Sequence, residues 1–173
     1  MQTPRLVLRQ IAYGDAPSIH AYRSVPEVAR LQAWSTFELS DAESLVAGQA
    51  SLKIDTPGSW FQLAIVDRST SQIVGDCGLH FSADAMRQVE LGITLDPHYQ
   101  GRGLAAEALH SVVTRLFGHM DKQSVIAIVD AKNRPAQLLF ERLRFRQKSI
   151  DRVWFKGCWE QERTFAVEAH EWR

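Results

Sequence analysis

The apolar positions of this chain change period several times, and the changes mark its elements. Residues 5–11 alternate as a strand, after which a helical stretch begins at Gly14 and Asp15 and runs through Ile19 and Tyr22. A second helical region is predicted over residues 40–52, with Ser40 placed to cap the first turn ahead of Asp41 and Glu43. Residues 32–39 lie between them as a loop or short turn. Trp34 in that loop either lines a pocket or covers the core, and the second reading is the commoner one for a tryptophan in such a place.

Pro57 and Gly58 punctuate the chain, and the apolar runs 60–67 and 73–81 that follow are separated by a polar stretch, which is the pattern of a hairpin. The next strand, 87–95, alternates cleanly. Val89, Leu91, Ile93 and Leu95 share one face; Glu90, Gly92 and Thr94 share the other. From Gly103 the period becomes helical, with Leu104, Ala108, Leu109, Val112, Val113, Leu116 and Phe117 forming a stripe that ends near Gly118. Residues 124–129 read as a short β-branched strand. Asn133 then caps a helix with Pro135 in its first turn and Ala136, Leu139, Phe140 and Leu143 on its apolar side. Two closing strands, 144–153 and 158–168, flank Lys156 and Gly157.

Composition narrows the reading. The 173 residues suit one domain spanning 1–173, and 45% hydrophobic content is that of a globular protein. Twenty basic residues balance twenty acidic ones, so no net field attracts nucleic acid. No segment approaches the roughly twenty apolar residues of a membrane span, and the N-terminus carries no secretory pattern, so a cytoplasmic protein is expected. Cys77 and Cys158 are too few for a tetrahedral zinc site or a disulfide framework, and no metal is expected.

The chemistry concentrates between Glu90 and Glu107. Gly101 and Gly103 precede a helix whose first amides, at the positive end of the helix dipole, suit a phosphate or diphosphate, with Arg102 able to add a charge. Taken alone, a Gly-x-Gly before a helix is equally the mark of a turn that binds nothing. A P-loop would need a Gly-Lys-Ser/Thr ending and a dinucleotide fold a third glycine, and neither pattern fits. The preceding hairpin argues for an α+β layout.

The chain resembles the GNAT superfamily of acyl-coenzyme A dependent N-acetyltransferases. The family's Gln/Arg-x-x-Gly-x-Gly/Ala motif is matched by Gln100, Gly103 and Ala105. Residues 89–108 (VELGITLDPHYQGRGLAAEA), 3–9 (TPRLVLR) and 72–79 (QIVGDCGL) are similar to the branch that includes the ribosomal-protein N-terminal acetyltransferases. The resemblance implies a mixed, mostly antiparallel sheet with one parallel splayed strand pair and helices on both faces. It implies acetyl-CoA as acyl donor, with Ile93, Thr94 and Leu95 meeting the acetyl group and pantetheine through their main chain. Gln100 belongs to the motif, and the amides of Gly101, Arg102, Gly103, Leu104, Ala105 and Ala106 would hold the diphosphate. Asn133 matches the asparagine that hydrogen-bonds the pantetheine arm.

The resemblance also places Phe140 at the cofactor site, where many relatives carry a proton-donating tyrosine. Ala136 and Arg144 depart from the pattern as well, standing where a serine and a glycine are usual. Water, Tyr99, His98 or Asp130 then remain as general acid. Glu90, on the polar face beside Gly92, is the candidate general base, its other reading being a paired or solvated surface carboxylate. Glu107, in the first turn of the glycine-loop helix, reads as structural. The acceptor is an amine, either a small molecule or a protein N-terminus, chosen by loops such as 32–39 and 81–86. Glu38 and Asp84 there either attract a cation or are solvated surface charge, and the protein is expected as a monomer or homodimer. Two alternatives stand beside this reading: a coenzyme A binding module without turnover, and a nucleotide-binding protein of another class.

Overall fold

Strand β1 (Leu6–Gln10) opens the chain, and helices α1 (Ala16–Arg23), α2 (Pro26–Ala29) and α3 (Leu39–Gln49) follow. Strands β2 (Ser59–Asp67), β3 (Ile73–Phe81) and β4 (Gln88–Leu95) lead into α4 (Leu104–His119). Then come β5 (Ser124–Asp130), α5 (Arg134–Arg142), β6 (Arg146–Phe155) and β7 (Cys158–Glu168). These elements belong to a computed structural model that describes residues 1–172. Among the described residues the strands form one sheet in the order β1-β2-β3-β4-β5-β7-β6. Its pairs are antiparallel except for β4 with β5. The mixed, mostly antiparallel sheet expected from the sequence is therefore present.

The sheet separates two apolar layers. On one side α4 and α5 bury Leu104, Leu109, Val112, Leu116 and Phe140 against Leu79, Val89, Leu91 and Val125. On the other, α1 and α3 bury Ile19, Tyr22, Ala42 and Val46 with Phe37 over Ala64 of β2. The alternation of β4 sorts accordingly: Val89, Leu91, Ile93 and Leu95 join the first layer, and Glu90, Gly92 and Thr94 face the second. Helices thus cover both faces, as the period changes in the sequence require.

Local chemistry moves two boundaries. The second long helix starts at Leu39, not after Ser40. The Asp41 carboxylate accepts from the Glu38 amide at 2.7 Å and closes the turn from inside, so Ser40 is no cap. Glu38 consequently sits at a helix start. The first helix is preceded by a 3-10 turn, Tyr13–Asp15, in which Asp15 accepts from the Ala12 amide at 2.7 Å and from Arg9 at 2.6 and 2.8 Å. The short helix α2 falls in a stretch where four residues are too few to show a period.

Among the described residues, no helix is long and apolar enough to cross a membrane. Nor does any group of three or more His, Cys, Asp or Glu side chains stand close enough to hold a metal ion. Cys77 is buried and Cys158 exposed, both as free thiols, and burial pushes the Cys77 thiol far above its usual range.

Candidate functional site

The parallel pair is short. β4 and β5 match only at Gln88 with Ser124, Val89 with Val125 and Glu90 with Ile126. Beyond Glu90 the strands part: β4 stays with β3 as far as Leu95, and β5 stays with β7 as far as Asp130. The backbone of β4 from Leu91 onward therefore has a strand neighbour on one side only. Unpaired strand edges are templates for another extended chain. Ile93, Thr94 and Leu95 all lie on this edge, with Thr94 and Leu95 buried.

Just beyond that edge is the glycine loop. Gly101 and Gly103 hold φ of +73° and +76°, a region open to glycine and costly for other residues. Gly103 is the left-handed residue that begins α4. The helical ladder starts with Glu107, whose amide donates to the Gly103 carbonyl at 3.1 Å. The amides of Leu104, Ala105 and Ala106 thus precede the first helical acceptor and stay free for an anion at the positive end of the dipole. Gln100 ties the loop to the strand, its side-chain amide donating to the Leu95 carbonyl at 3.0 Å. The Arg102 guanidinium lies over the Tyr99 ring at 5.4 Å, exposed at the mouth of the loop.

The loop is braced from behind. Glu107 accepts from the Thr3 hydroxyl at 2.6 Å, the Arg5 amide at 2.9 Å and Arg5 Nε at 2.6 Å, while Arg5 also donates to the Arg102 carbonyl at 2.9 Å. Glu107 therefore has a structural role. Although burial alone would raise it, the hydrogen bonds from Thr3 and Arg5 hold its carboxyl below the usual range.

Asn133 begins α5, and its Oδ1 accepts from the Ala136 amide at 3.2 Å. Among the described residues Nδ2 donates to nothing, so the cap leaves a donor over for a ligand. Phe140 is placed in the core, 3% exposed, its ring 5.2 Å from that of Phe145 and 6.1 Å from that of Phe165. It carries no proton to give. Of the other acid candidates, the Tyr99 hydroxyl donates to Gln72 at 2.9 Å and His98 pairs with Asp96 at 2.9 Å. Both stand past the far end of β4 from Glu90, about 17 Å along the strand. Asp130 accepts from the Lys132 amide and pairs across the ladder with Glu162.

Glu90 is half-buried at the point where the strands part. Burial is the largest cause raising its pKa above the ordinary value of 4.5; the charge of Glu162 on β7 adds to the rise, and His80 on β3 opposes it. His80 is its direct partner across the β3–β4 ladder, with the Trp60 ring stacked on the imidazole at 5.1 Å. This pair escaped the sequence reading. The alternation of β3 puts Asp76, Gly78 and His80 on one face, and pairing Gly78 with Gly92 through the hairpin would have brought His80 opposite Glu90.

Two further features frame that face. Asp76, buried beneath α1, accepts from the Tyr22 hydroxyl and from Arg23 at 2.6 and 3.0 Å. Trp34 covers the Arg23 guanidinium at 4.7 Å and donates from Nε1 to the Arg23 carbonyl at 3.1 Å, so this tryptophan covers the core. The turn between β6 and β7 is pinned over the same side, where Lys156 Nζ donates to the carbonyls of Ala29 at 2.8 Å and Trp34 at 2.6 Å. A cavity of about 720 Å³, bordered by Arg9, Asp15, Ser18, Gln72, Tyr99 and Arg102, opens between α1 and the glycine loop. It adjoins the loop and does not include Glu90.

Residues 5–146 match the family model of the acetyltransferase (GNAT) domain. The chain is 29% identical over 151 residues to the uncharacterized N-acetyltransferase YoaA of Bacillus subtilis (strain 168), an alignment covering 87% of this chain and 84% of that one. Its fold superposes on the ribosomal-protein-S5-alanine acetyltransferase of Vibrio fischeri with a TM-score of 0.84 at 17% identity, covering 100% and 98% of the two chains. It also superposes on a spermidine N-acetyltransferase of Vibrio cholerae, solved in complex with CoA and spermine, with a TM-score of 0.82 at 17% identity and 98% of both chains covered.

Proposed function

Because the chain belongs to the GNAT acetyltransferase family and is an acetyl-CoA-dependent N-acyltransferase, we propose that it moves an acetyl group to a primary amine by direct attack on the thioester, with Glu90 as base. One observation carries this reading: β4 loses its parallel partner immediately after Glu90, and the edge so exposed runs toward the free amides of the glycine loop. The residues fit the donor. The amides of Gly101 to Ala106 would hold its diphosphate, the β4 edge at Ile93, Thr94 and Leu95 its pantetheine arm, and Asn133 Nδ2 a carbonyl of that arm. When bound, the donor supplies an activated acetyl group on a sulfur leaving group.

The remaining work falls to this chain. A primary amine reacts only when neutral, yet an α-amine titrates near ~8 and a lysine near ~10.4, so a proton acceptor at the point of attack is required. Glu90 supplies it, and its raised pKa brings it closer to the amine it serves. A β4 amide beside Ile93 would polarise the donor's carbonyl, a contact that contributes roughly 3 kcal/mol in comparable sites. The proton that Glu90 takes would reach the departing sulfur through water, since Phe140 carries no hydroxyl and Tyr99 and His98 stand past the far end of β4, bonded to Gln72 and Asp96. The acceptor is a primary amine of a protein N-terminus or of a small molecule, the two classes on which the ribosomal-protein and spermidine enzymes are named.

The buried Phe140 and the side-chain-poor Ala136 favour one rival, a module that binds coenzyme A without turning it over. A thiol-release assay with acetyl-CoA and a panel of amines and N-terminal peptides separates the two. Amine-dependent release of free thiol is the expected result, and tight binding of acetyl-CoA without any release across the panel would sink the enzyme reading.

A further inference from the structure

Three glycines stand inside β3 and β4, and two of them answer to the fold itself. A Cβ at Gly75 would lie 2.2 Å from the Thr94 carbonyl oxygen. One at Gly78 would press on the Gln62 amide at 2.9 Å and the Trp60 ring at 3.1 Å. Gly92 has no such reason. Its φ is not positive, and a Cβ there would meet no heavy atom within 4 Å. Glycine inside a strand costs roughly 0.5–1 kcal/mol against alanine. The folded chain alone would be better served by a side chain.

What surrounds that bare position is the site. Gly92 shares its sheet face with Glu90 and Thr94, one step past the place where β4 leaves β5. Across the widening gap Ile128 shares the face of Ile126, and it is 44% exposed. On the other side Trp60, 43% exposed, stacks on His80. The bare position at Gly92 therefore lies between Ile128 on one side and, over Gly78, Trp60 with the Gln62 amide on the other, with one half-buried carboxylate two residues away.

We infer that Gly92 is a specificity-determining position for the acceptor, an inference that rests on the acetyl-transfer reading above: the carbon bearing the amine lies over Gly92, between Ile128 and Trp60, with its nitrogen toward Glu90. The chemistry that this slot recognises is a primary amine on a slender apolar stem. An alkylamine and a chain terminus with a small aliphatic side chain both meet that description; a polyhydroxylated amino sugar, whose amine stands on a ring carbon between two substituted neighbours, is no slender stem.

The test compares Gly92→Ala and Gly92→Val with the unaltered protein in three readouts: thermal midpoint, acetyl-CoA affinity by calorimetry, and kcat/KM for butylamine, alanine amide and glucosamine. Both variants fold and bind acetyl-CoA within about twofold of the parent. Acceptor kcat/KM falls about tenfold for alanine, since one added methyl in a fitted slot is worth roughly that much, and on the order of a hundredfold for valine, which adds a whole isopropyl group. The unaltered protein prefers butylamine or alanine amide to glucosamine, and which of the two leads separates the small-molecule source from the chain terminus. Retention of acceptor kcat/KM in the alanine variant overturns the inference, as does a parallel loss of acetyl-CoA affinity or a preference for glucosamine. Should valine prevent folding, the alanine variant decides alone. Silence of the unaltered protein toward every amine would remove the reaction itself, a result distinct from an active enzyme indifferent to residue 92.

Discussion

Replacing Gly101 and Gly103 by alanine, singly and together, separates the strain of the glycine loop from its contacts. Neither new Cβ clashes: nothing lies within 4 Å of the one at 101, and the nearest atom to the one at 103 is an Arg5 nitrogen at 3.6 Å. What changes is the backbone, because φ of +73° and +76° costs an L-residue about 1–2 kcal/mol each. If the loop keeps its shape, each variant loses that stability. In a chain of this size 1 kcal/mol moves the midpoint by about 2–4 °C. Each single variant should therefore melt about 2–8 °C lower, and the pair should lose roughly the sum. If the loop instead relaxes to escape the strain, stability is kept but the amides of Leu104, Ala105 and Ala106 no longer converge, and acetyl-CoA affinity falls. Differential scanning calorimetry and isothermal titration read the two losses side by side. A double variant that keeps both its midpoint and its affinity would refute the reasoning, since the two glycines would then be doing neither job.

Other variants probe separate parts of the account. Glu90→Gln removes a carboxyl whose folded pKa lies above 4.5, with His80 and Glu162 the titratable groups facing it from β3 and β7. The charged form is disfavoured by folding, so the penalty is absent below about pH 4 and grows as pH rises through the folded pKa. The variant should melt higher than the parent near pH 7 and equally near pH 4, while its acetyl transfer loses the rise with pH that a base gives; an unaltered pH–rate profile would exclude Glu90 as the base. Asp76→Ala leaves the Arg23 guanidinium buried without its partner, a loss of about 3–5 kcal/mol that denaturant titration measures. Substituting Arg23 as well should recover part of it. Asn133→Asp keeps the cap oxygen of α5 but gives up the donor, so the protein should keep its stability and bind acetyl-CoA more weakly, whereas Asn133→Ala also loses about 1 kcal/mol.

Much of this molecule is legible in its sequence because the decisive signals are local. Alternation in β4 sorts Val89 and Leu91 to the core and Glu90 and Gly92 to the other face without reference to any other strand. Two glycines that must bend the backbone, followed by a stripe of helical period, mark the loop and α4. The failures are of two kinds. At Ser40 two cap chemistries competed within three residues, and the Asp41 carboxylate took the Glu38 amide. The pairings of Asp76 with Arg23, Glu107 with Arg5 and Lys156 with the Ala29 carbonyl join segments 53, 102 and 127 residues apart, which no window along the chain contains. His80 is intermediate, since its place opposite Glu90 follows from the hairpin register once that register is fixed by Gly78 and Gly92.

The central claim is that the parted edge of β4 and the free amides behind Gly103 together grip a thioester carrier. A crystal structure of the protein soaked with coenzyme A tests it most directly. The account predicts the diphosphate against the amides of residues 101–106 and the pantetheine arm lying along Ile93 to Leu95 in the gap between β4 and β5. Density for the carrier elsewhere on the molecule, with that gap closed by the protein's own side chains, would contradict it.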